Sequence, residues 1–251
     1  MKISVCMATY NGEKYIRQQI DSILCQLSFE DELIISDDGS NDETIKIIQS
    51  YNDKRIKLFF HQKDNKLKNK KLSTFKLIAN NFENALINAQ GDYIFLSDQD
   101  DIWAPNKVSV VVSYLNNYDM ALSNYSTIDE NDNVLKECVY EYFPPSFSII
   151  RNIIRPDHLG CCMAFRKEIL KYILPFPNNL VGHDMWISSI ISFYGKCTFI
   201  DKSLQLYRRH GLNISTSTEK SKNNILIKVS YRIHFVYNFI KRIIFCKKIL
   251  S

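Results

Sequence analysis

"YIFLSDQDDIWAP" (residues 93–105) runs a short apolar stretch, Tyr93 to Leu96, straight into Asp98, Asp100 and Asp101, with Trp103 just beyond. The apolar part reads as a buried strand, and its end carries three like charges within four positions. Mutual repulsion makes that arrangement costly unless a cation or a cationic group sits among them. A carboxylate pair at i, i+2 on a turn can hold Mg2+ or Mn2+ through one or two oxygens, with diphosphate and water completing the shell. A solvated turn would carry the same letters.

The same grammar occurs twice upstream. "ISVCMA" (3–8) reads as a strand, "TYNGEKY" as a turn, and Ile16, Ile20, Ile23, Leu24 and Leu27 fall at helical spacing. "ELIISDDGSND" (32–42) repeats strand, acid pair and glycine turn before a helix carrying Ile45, Ile47 and Ile48, for which Ser40 or Asn41 is the expected cap. Further on come a strand "IKLFF" (56–60), a helix over 75–89, the strand of the opening stretch, a helix over about 105–118 and a strand at "MALSN" (120–124). The Lys/Asn-rich segment 62–73 has little to bury and reads as a mobile loop. Such alternation predicts an α/β fold with a mostly parallel sheet covered on both faces. Ligands gather at the carboxyl ends of such strands, so the three polar strand ends predict one site.

Beyond Phe143-Pro144-Pro145 the pattern loosens. A short helix, a "GCCMAFR" strand, a helix in "HDMWISSIISFYG", a strand "KCTFI" and a further strand or extended arm "LQLYRRHG" are expected. Hydrophobic residues at 45% and charged residues at 24% of 251 are ordinary globular values. The seven cysteines are odd in number and never spaced CxxC, which disfavours a disulfide framework or metal cluster and suits a reducing cytosol. The start does not resemble a signal peptide, and no apolar run reaches the roughly 18 residues of a spanning helix. From residue 219 onward eight Lys/Arg face one acid, a net +7, which leaves −2 of the total +5 for residues 1–218.

Taken together, "ATYNG", "SDDGSND", "GDYIFLSDQDDIW", "GHDMW" and "YRRHGLN" stand in the order found in family 2 glycosyltransferases with the GT-A fold, and the chain resembles that family over roughly residues 2–215. "FLSDQDDIW" is most similar to the bacterial branch that builds O-antigen, capsule and rhamnan-type polysaccharides. The resemblance implies a Rossmann-like GT-A domain over 1–215, with a nucleotide-sugar half (1–125) and an acceptor and catalytic half (126–215), followed by a basic tail (216–251). It implies donor contacts from Ala8, Thr9, Tyr10 and Asn11 in the opening turn, from Asp38 to uracil or thymine, and from Asp98 and Gln99. Asp100 and His210 would hold Mn2+ or Mg2+, and Asp184 would be the catalytic base. Read from its position alone, Asp184 is a helix cap before it is a base, an order that the resemblance reverses, and Asp38 equally caps the following helix.

Acceptor contacts are expected from Trp103, Trp186, His158 and Arg208, the arginine because guanidinium matches anionic groups bidentately. The expected partners are a nucleotide sugar, dTDP-rhamnose or a UDP-hexose, and an undecaprenyl-diphosphate-linked or other glycan acceptor; no nucleic acid is implied. In the tail, Ile225, Val229, Ile233, Val236, Ile240 and Ile243 lie on one stripe and Lys228 and Arg232 on another. That pattern fits a helix resting on the inner face of the cytoplasmic membrane, a helix packed on the domain, or a homodimer contact. Two rival functions share the composition. A sugar-1-phosphate nucleotidyltransferase would need a glycine- and arginine-rich loop that "TYNGEKY" lacks, and a non-catalytic binding protein need not keep Asp38, Asp100, Asp184 and His210 together.

Overall fold

A computed structural model describes residues 1–61, 71–178, 180–211 and 225–250. The loop expected at 62–73 lies, from 62 to 70, outside the described residues. In chain order the elements are β1 (Ile3–Thr9), α1 (Ile16–Leu24), β2 (Glu32–Asp37), α2 (Thr44–Ser50), β3 (Ile56–Phe60), α3 (Lys71–Ile87), β4 (Tyr93–Asp98), β5 (Ile102–Trp103) and α4 (Lys107–Leu115). There follow β6 (Met120–Ile128), β7 (Val134–Lys136), α5 (Ile149–Ile154), β8 (Met163–Arg166), α6 (Leu170–Ile173), α7 (His183–Tyr194), β9 (Cys197–Arg208) and α8 (Ile225–Leu250).

The strands form one sheet in the order β3-β2-β1-β4-β8-β6-β9-β5, with β7 paired to β6. The first four are parallel, as the alternation predicts, while β8 lies antiparallel between β4 and β6. Strands from both halves of the chain therefore share this sheet. Successive side chains point to opposite faces of a strand. In β1, Val5 and Met7 join one core with Ile16, Ile20 and Ile23 of α1, while Cys6 joins the other core with Phe82 of α3 and Trp186 of α7. Each large apolar side chain so enclosed contributes about 1.5–3 kcal/mol.

The two strands expected at "KCTFI" and "LQLYRRHG" are one strand, β9. Its exposed Asp201 and Lys202 coincide with register shifts against β6, and such irregularities let a polar pair sit within a strand without ending it. β5, two residues long, pairs Ile102 with Leu206 and Trp103 with Gln205. It clips the acidic loop after β4 against the carboxyl end of β9.

The cap of α2 differs from expectation. Ser40 donates to Asp37 Oδ2 at 2.5 Å, and the amide and hydroxyl of Thr44 bind Asp42 Oδ1 instead. The tail packs on the domain: Phe235 meets Trp186 edge-on at 6.0 Å, Phe239 meets Phe193 at 5.9 Å, and Arg242 donates to the carbonyls of Tyr172 and Leu174. No helix among the described residues is long and apolar enough to cross a membrane.

Candidate active site

Register brings the three polar strand ends together. Thr9 pairs with Asp37 across β1 and β2, and Ala8 pairs with Asp98 across β1 and β4. Asp37 is the internal tie of this edge. It accepts from the amides of Gly39 and Ser40 at 2.9 and 2.7 Å and from Thr9 Oγ1 at 2.9 Å. Asn11, held at φ 47°, accepts from the Asn41 amide and donates its own amide to Ser40 Oγ, which locks the first turn to the second. Asp38 sits at 5% exposure, and its Oδ1 lies 2.9 Å from His61 Nδ1. Tyr10 is exposed at the rim.

The acids after β4 have three different environments. Asp101 is wholly buried; its oxygens accept from the Arg208 amide at 2.9 Å and Gln205 Nε2 at 2.7 Å, while burial and then the Asp100 charge raise its pKa. Asp100 Oδ2 lies 2.9 Å from His210 Nε2, and the His210 ring stacks on Tyr15 at 5.1 Å. Asp98 is pushed well above the usual carboxylate range by burial and then by the charges of Asp101, Asp100 and Asp184. Asp184 is therefore close enough to act electrostatically on the acid corner, although it arrives from the first turn of α7. Its Oδ1 accepts from the Met185 amide at 2.9 Å, so it also serves the helix start. Behind the corner stands a cationic group: the ammonium of Lys107, at 1% exposure, donates to the Cys161 carbonyl and Gln205 Oε1 and lies 4.4 Å from the Trp103 ring centre.

The Asp100 carboxylate and the His210 imidazole, 2.9 Å apart, form a donor pair that suits a hard divalent cation. Carboxylate oxygens with one imidazole suit Mg2+ or Mn2+, and a 2+ charge would relieve the repulsion that raises Asp98. Ligand atoms of Asp98, Asp101 and Cys161 also lie within 4.8 Å of one another. Both oxygens of Asp101 are committed to the frame, however. The Cys161 thiol is held in its protonated form by its hydrogen bond with Cys162 and by burial, which makes it a poor ligand for such an ion.

Several expected contacts turn inward. Trp103, Trp186, His158 and Arg208 are each 3% exposed or less, so none presents a face to an acceptor. Trp186 donates its indole N–H to the Ile173 carbonyl. His158 packs on Phe147 with ring centres 5.3 Å apart. The Arg208 guanidinium binds the carbonyls of Asp100 and Asp129, the Asp132 carboxylate and Gln18 Oε1, and lies over the Tyr15 ring. Gln99, expected at the donor, spends its amide on both backbone groups of Tyr10, at 2.9 and 3.0 Å. A Cβ at Gly12 would stand 2.4 Å from Gln99 Oε1, so a larger residue there would push that side chain aside. Thr9 is buried and its hydroxyl faces Asp37.

Sequence reasoning missed His61 and Lys107. His61 follows β3 as Asp38 follows β2, and the Asp37–Phe60 pairing brings the two side by side. Lys107 had a signal in the sequence, a lone charge beside the buried positions Val108, Val111 and Leu115 of α4.

The profile described as glycosyl transferase family 2 matches residues 4–174. The chain is 28% identical over 249 residues to a dTDP-rhamnosyl transferase, RfbG, of Shigella flexneri, covering 90% of this chain and 81% of that one. It is 29% identical over 189 residues to WfgD of Escherichia coli, a UDP-Glc:alpha-D-GlcNAc-diphosphoundecaprenol beta-1,3-glucosyltransferase, covering 74% and 68% respectively. Among solved structures, residues 1–349 of Staphylococcus aureus TarS in complex with UDP-GlcNAc superpose with a TM-score of 0.66 at 20% identity, over 94% of this chain and 72% of that one. That likeness extends to the fold.

Proposed function

Because this chain belongs to glycosyl transferase family 2, we propose that it moves one sugar from a nucleotide sugar to a lipid-linked glycan, with inversion at the anomeric carbon. The donor is dTDP-rhamnose or a UDP-hexose, and the acceptor an undecaprenyl-diphosphate-linked oligosaccharide. The product is a bacterial surface polysaccharide of the O-antigen or capsule type, made at the inner face of the cytoplasmic membrane. Similarity to a dTDP-rhamnosyl transferase and to a glucosyltransferase acting on a diphosphoundecaprenol-linked sugar supports this reading.

Asp38, steadied by His61, accepts the ring N–H of uracil or thymine, while Ala8 and Tyr10 bound the base. Asp98 faces the ribose or the sugar. Asp100 and His210 would hold Mg2+ or Mn2+, which when bound would supply Lewis-acid stabilisation of the departing diphosphate. An Asp184 oxygen takes the proton of the acceptor hydroxyl as that oxygen attacks the anomeric carbon opposite the diphosphate. The new C–O bond forms as the bond to the diphosphate oxygen breaks, and the positioned base contributes about 10²–10⁴-fold.

The observation that carries the proposal is convergence at one sheet edge. Asp100, just past β4, meets the His210 imidazole from beyond β9, and Asp98 beside it feels the charge of Asp184 at the head of α7. The test is mass spectrometry of lipid-linked product formed from a panel of nucleotide sugars. Turnover is expected in the wild type and not in Asp184→Asn or Asp100→Ala; unchanged turnover in both variants overturns the mechanism.

A further inference from the structure

α8 is apolar on two sides. Phe235, Phe239 and Cys246 are buried against the domain, with Val236 and Ile243 packed alongside. On the other side Val229, Ile233, Tyr237, Ile240 and Ile244 recur at intervals of three and four residues and are 47–65% exposed. The single stripe expected from the sequence is thus divided between the two sides. An open groove of about 400 Å3 runs between Val229, Arg232, Ile233, Val236 and Tyr237.

The outward side continues onto a second element. Arg232 donates to the Ile154 carbonyl at 2.6 Å, which joins α8 to the end of α5, where Ile150 and Ile154 are also exposed. α5 is in turn pinned to α7 by Asn152, which donates to Ser188 and Ser189 at 2.9 Å. The helix headed by Asp184 therefore shares a support with this apolar surface.

Charge selects the occupant. Residues 225–250 contain no acid, and the chain from 219 onward carries a net +7, including the exposed Lys241 and Lys247. A second copy would oppose +7 with +7, whereas an anionic surface meets both the apolar stripe and its cationic flanks. We propose that the outer side of α8, extended by Ile150 and Ile154, lies in the headgroup plane of an anionic lipid leaflet. The α5–α7 side of the domain is thereby held at the membrane, where a lipid-borne acceptor is presented. This last clause rests on the transferase reading above, and the lipid contact does not.

The test is sedimentation of the full chain with phosphatidylglycerol vesicles, compared with phosphatidylcholine vesicles and with an Ile233→Glu/Ile240→Glu variant. Each replaced residue is more than half exposed, so the variant is expected to melt with the wild type. The vesicle-bound fraction is expected to fall at least about tenfold, in the variant and on phosphatidylcholine alike. Equal binding by variant and wild type, or equal binding to both lipids, overturns the proposal. So does a variant that loses self-association in light scattering yet keeps its vesicle affinity, because a second copy then covers the stripe. Hydrolysis of nucleotide sugar without vesicles, measured in parallel, reports on the transferase reading alone. Vesicle binding without hydrolysis leaves the lipid contact standing and removes that reading, and hydrolysis without vesicle binding does the reverse.

Discussion

Replacing Arg208 with methionine separates two roles for this residue, acceptor contact and internal brace. The side chain is 1% exposed, and its guanidinium donates to Asp100 O at 2.9 Å, Asp129 O at 3.2 Å and Gln18 Oε1 at 2.8 Å, besides pairing with Asp132. Asp132 is half exposed, so that pair contributes at most about 1 kcal/mol. The bonds to uncharged acceptors count for more, because removing a buried charged donor strands its partners, at a cost of about 3–5 kcal/mol. Each kcal/mol lowers Tm by about 2–4 °C in a chain of this size, so Arg208→Met should melt roughly 6–20 °C below wild type. Arg208→Lys keeps the charge but not the fork, and should recover less than half of that loss. Calorimetry or urea unfolding reads the result. A Tm within about 2 °C of wild type, less than one kcal/mol on that scale, combined with a raised KM for acceptor, would show that Arg208 faces the acceptor and that the brace argument is wrong.

Three further outcomes follow from the same geometry. Asp100→Asn and His210→Gln should each weaken Mn2+ binding by at least about tenfold in calorimetric titration, whereas Asp101→Asn should act chiefly on stability because both its oxygens belong to the frame. In Gly160→Ala the new Cβ would stand 3.0 Å from His183 Nε2 and 3.7 Å from Asp184 Cβ; the resulting shift of the α7 head should lower kcat about three- to tenfold with donor KM little changed, which steady-state kinetics can check. Burial alone would raise the Glu32 pKa, but hydrogen bonds from Lys57, Ser4, the Gln90 amide and Lys2 outweigh it and hold the carboxyl at about 2 against an ordinary 4.5. The stability this confers is complete above pH 4.5 and is lost as pH falls through 2, so a pH series of urea midpoints should show an acid slope that Glu32→Gln flattens.

Much of the donor-side architecture was legible in the letters. β1, β2 and β4 announce themselves because a strand buried on both faces needs an unbroken apolar run, and "SDDGS" and "SDQDD" mark where each run meets the ligand edge. The helices were equally readable where an apolar side recurs, as in α1 with Ile16, Ile20 and Ile23. Short or interrupted pieces were not. β5 has two residues, too few for any period, and β9 reads as two strands because Asp201 and Lys202 break its apolar pattern.

By itself, then, the sequence determined the alternation of elements, the gathering of polar strand ends and the family to which the chain belongs, since all three are written in local period and short motifs. Only the tertiary structure decided what each polar side chain does. Arg208 and Gln18 are 190 positions apart and meet because β9 closes beside α1. Lys107 finds its buried partners, the Cys161 carbonyl and Gln205 Oε1, because α4 lies over both. The two apolar sides of α8 were likewise indistinguishable until one of them was covered. Local sequence sets which side chains are apolar or charged, but the partner that satisfies a buried charge, or leaves a stripe uncovered, is set by contacts between segments far apart in the chain.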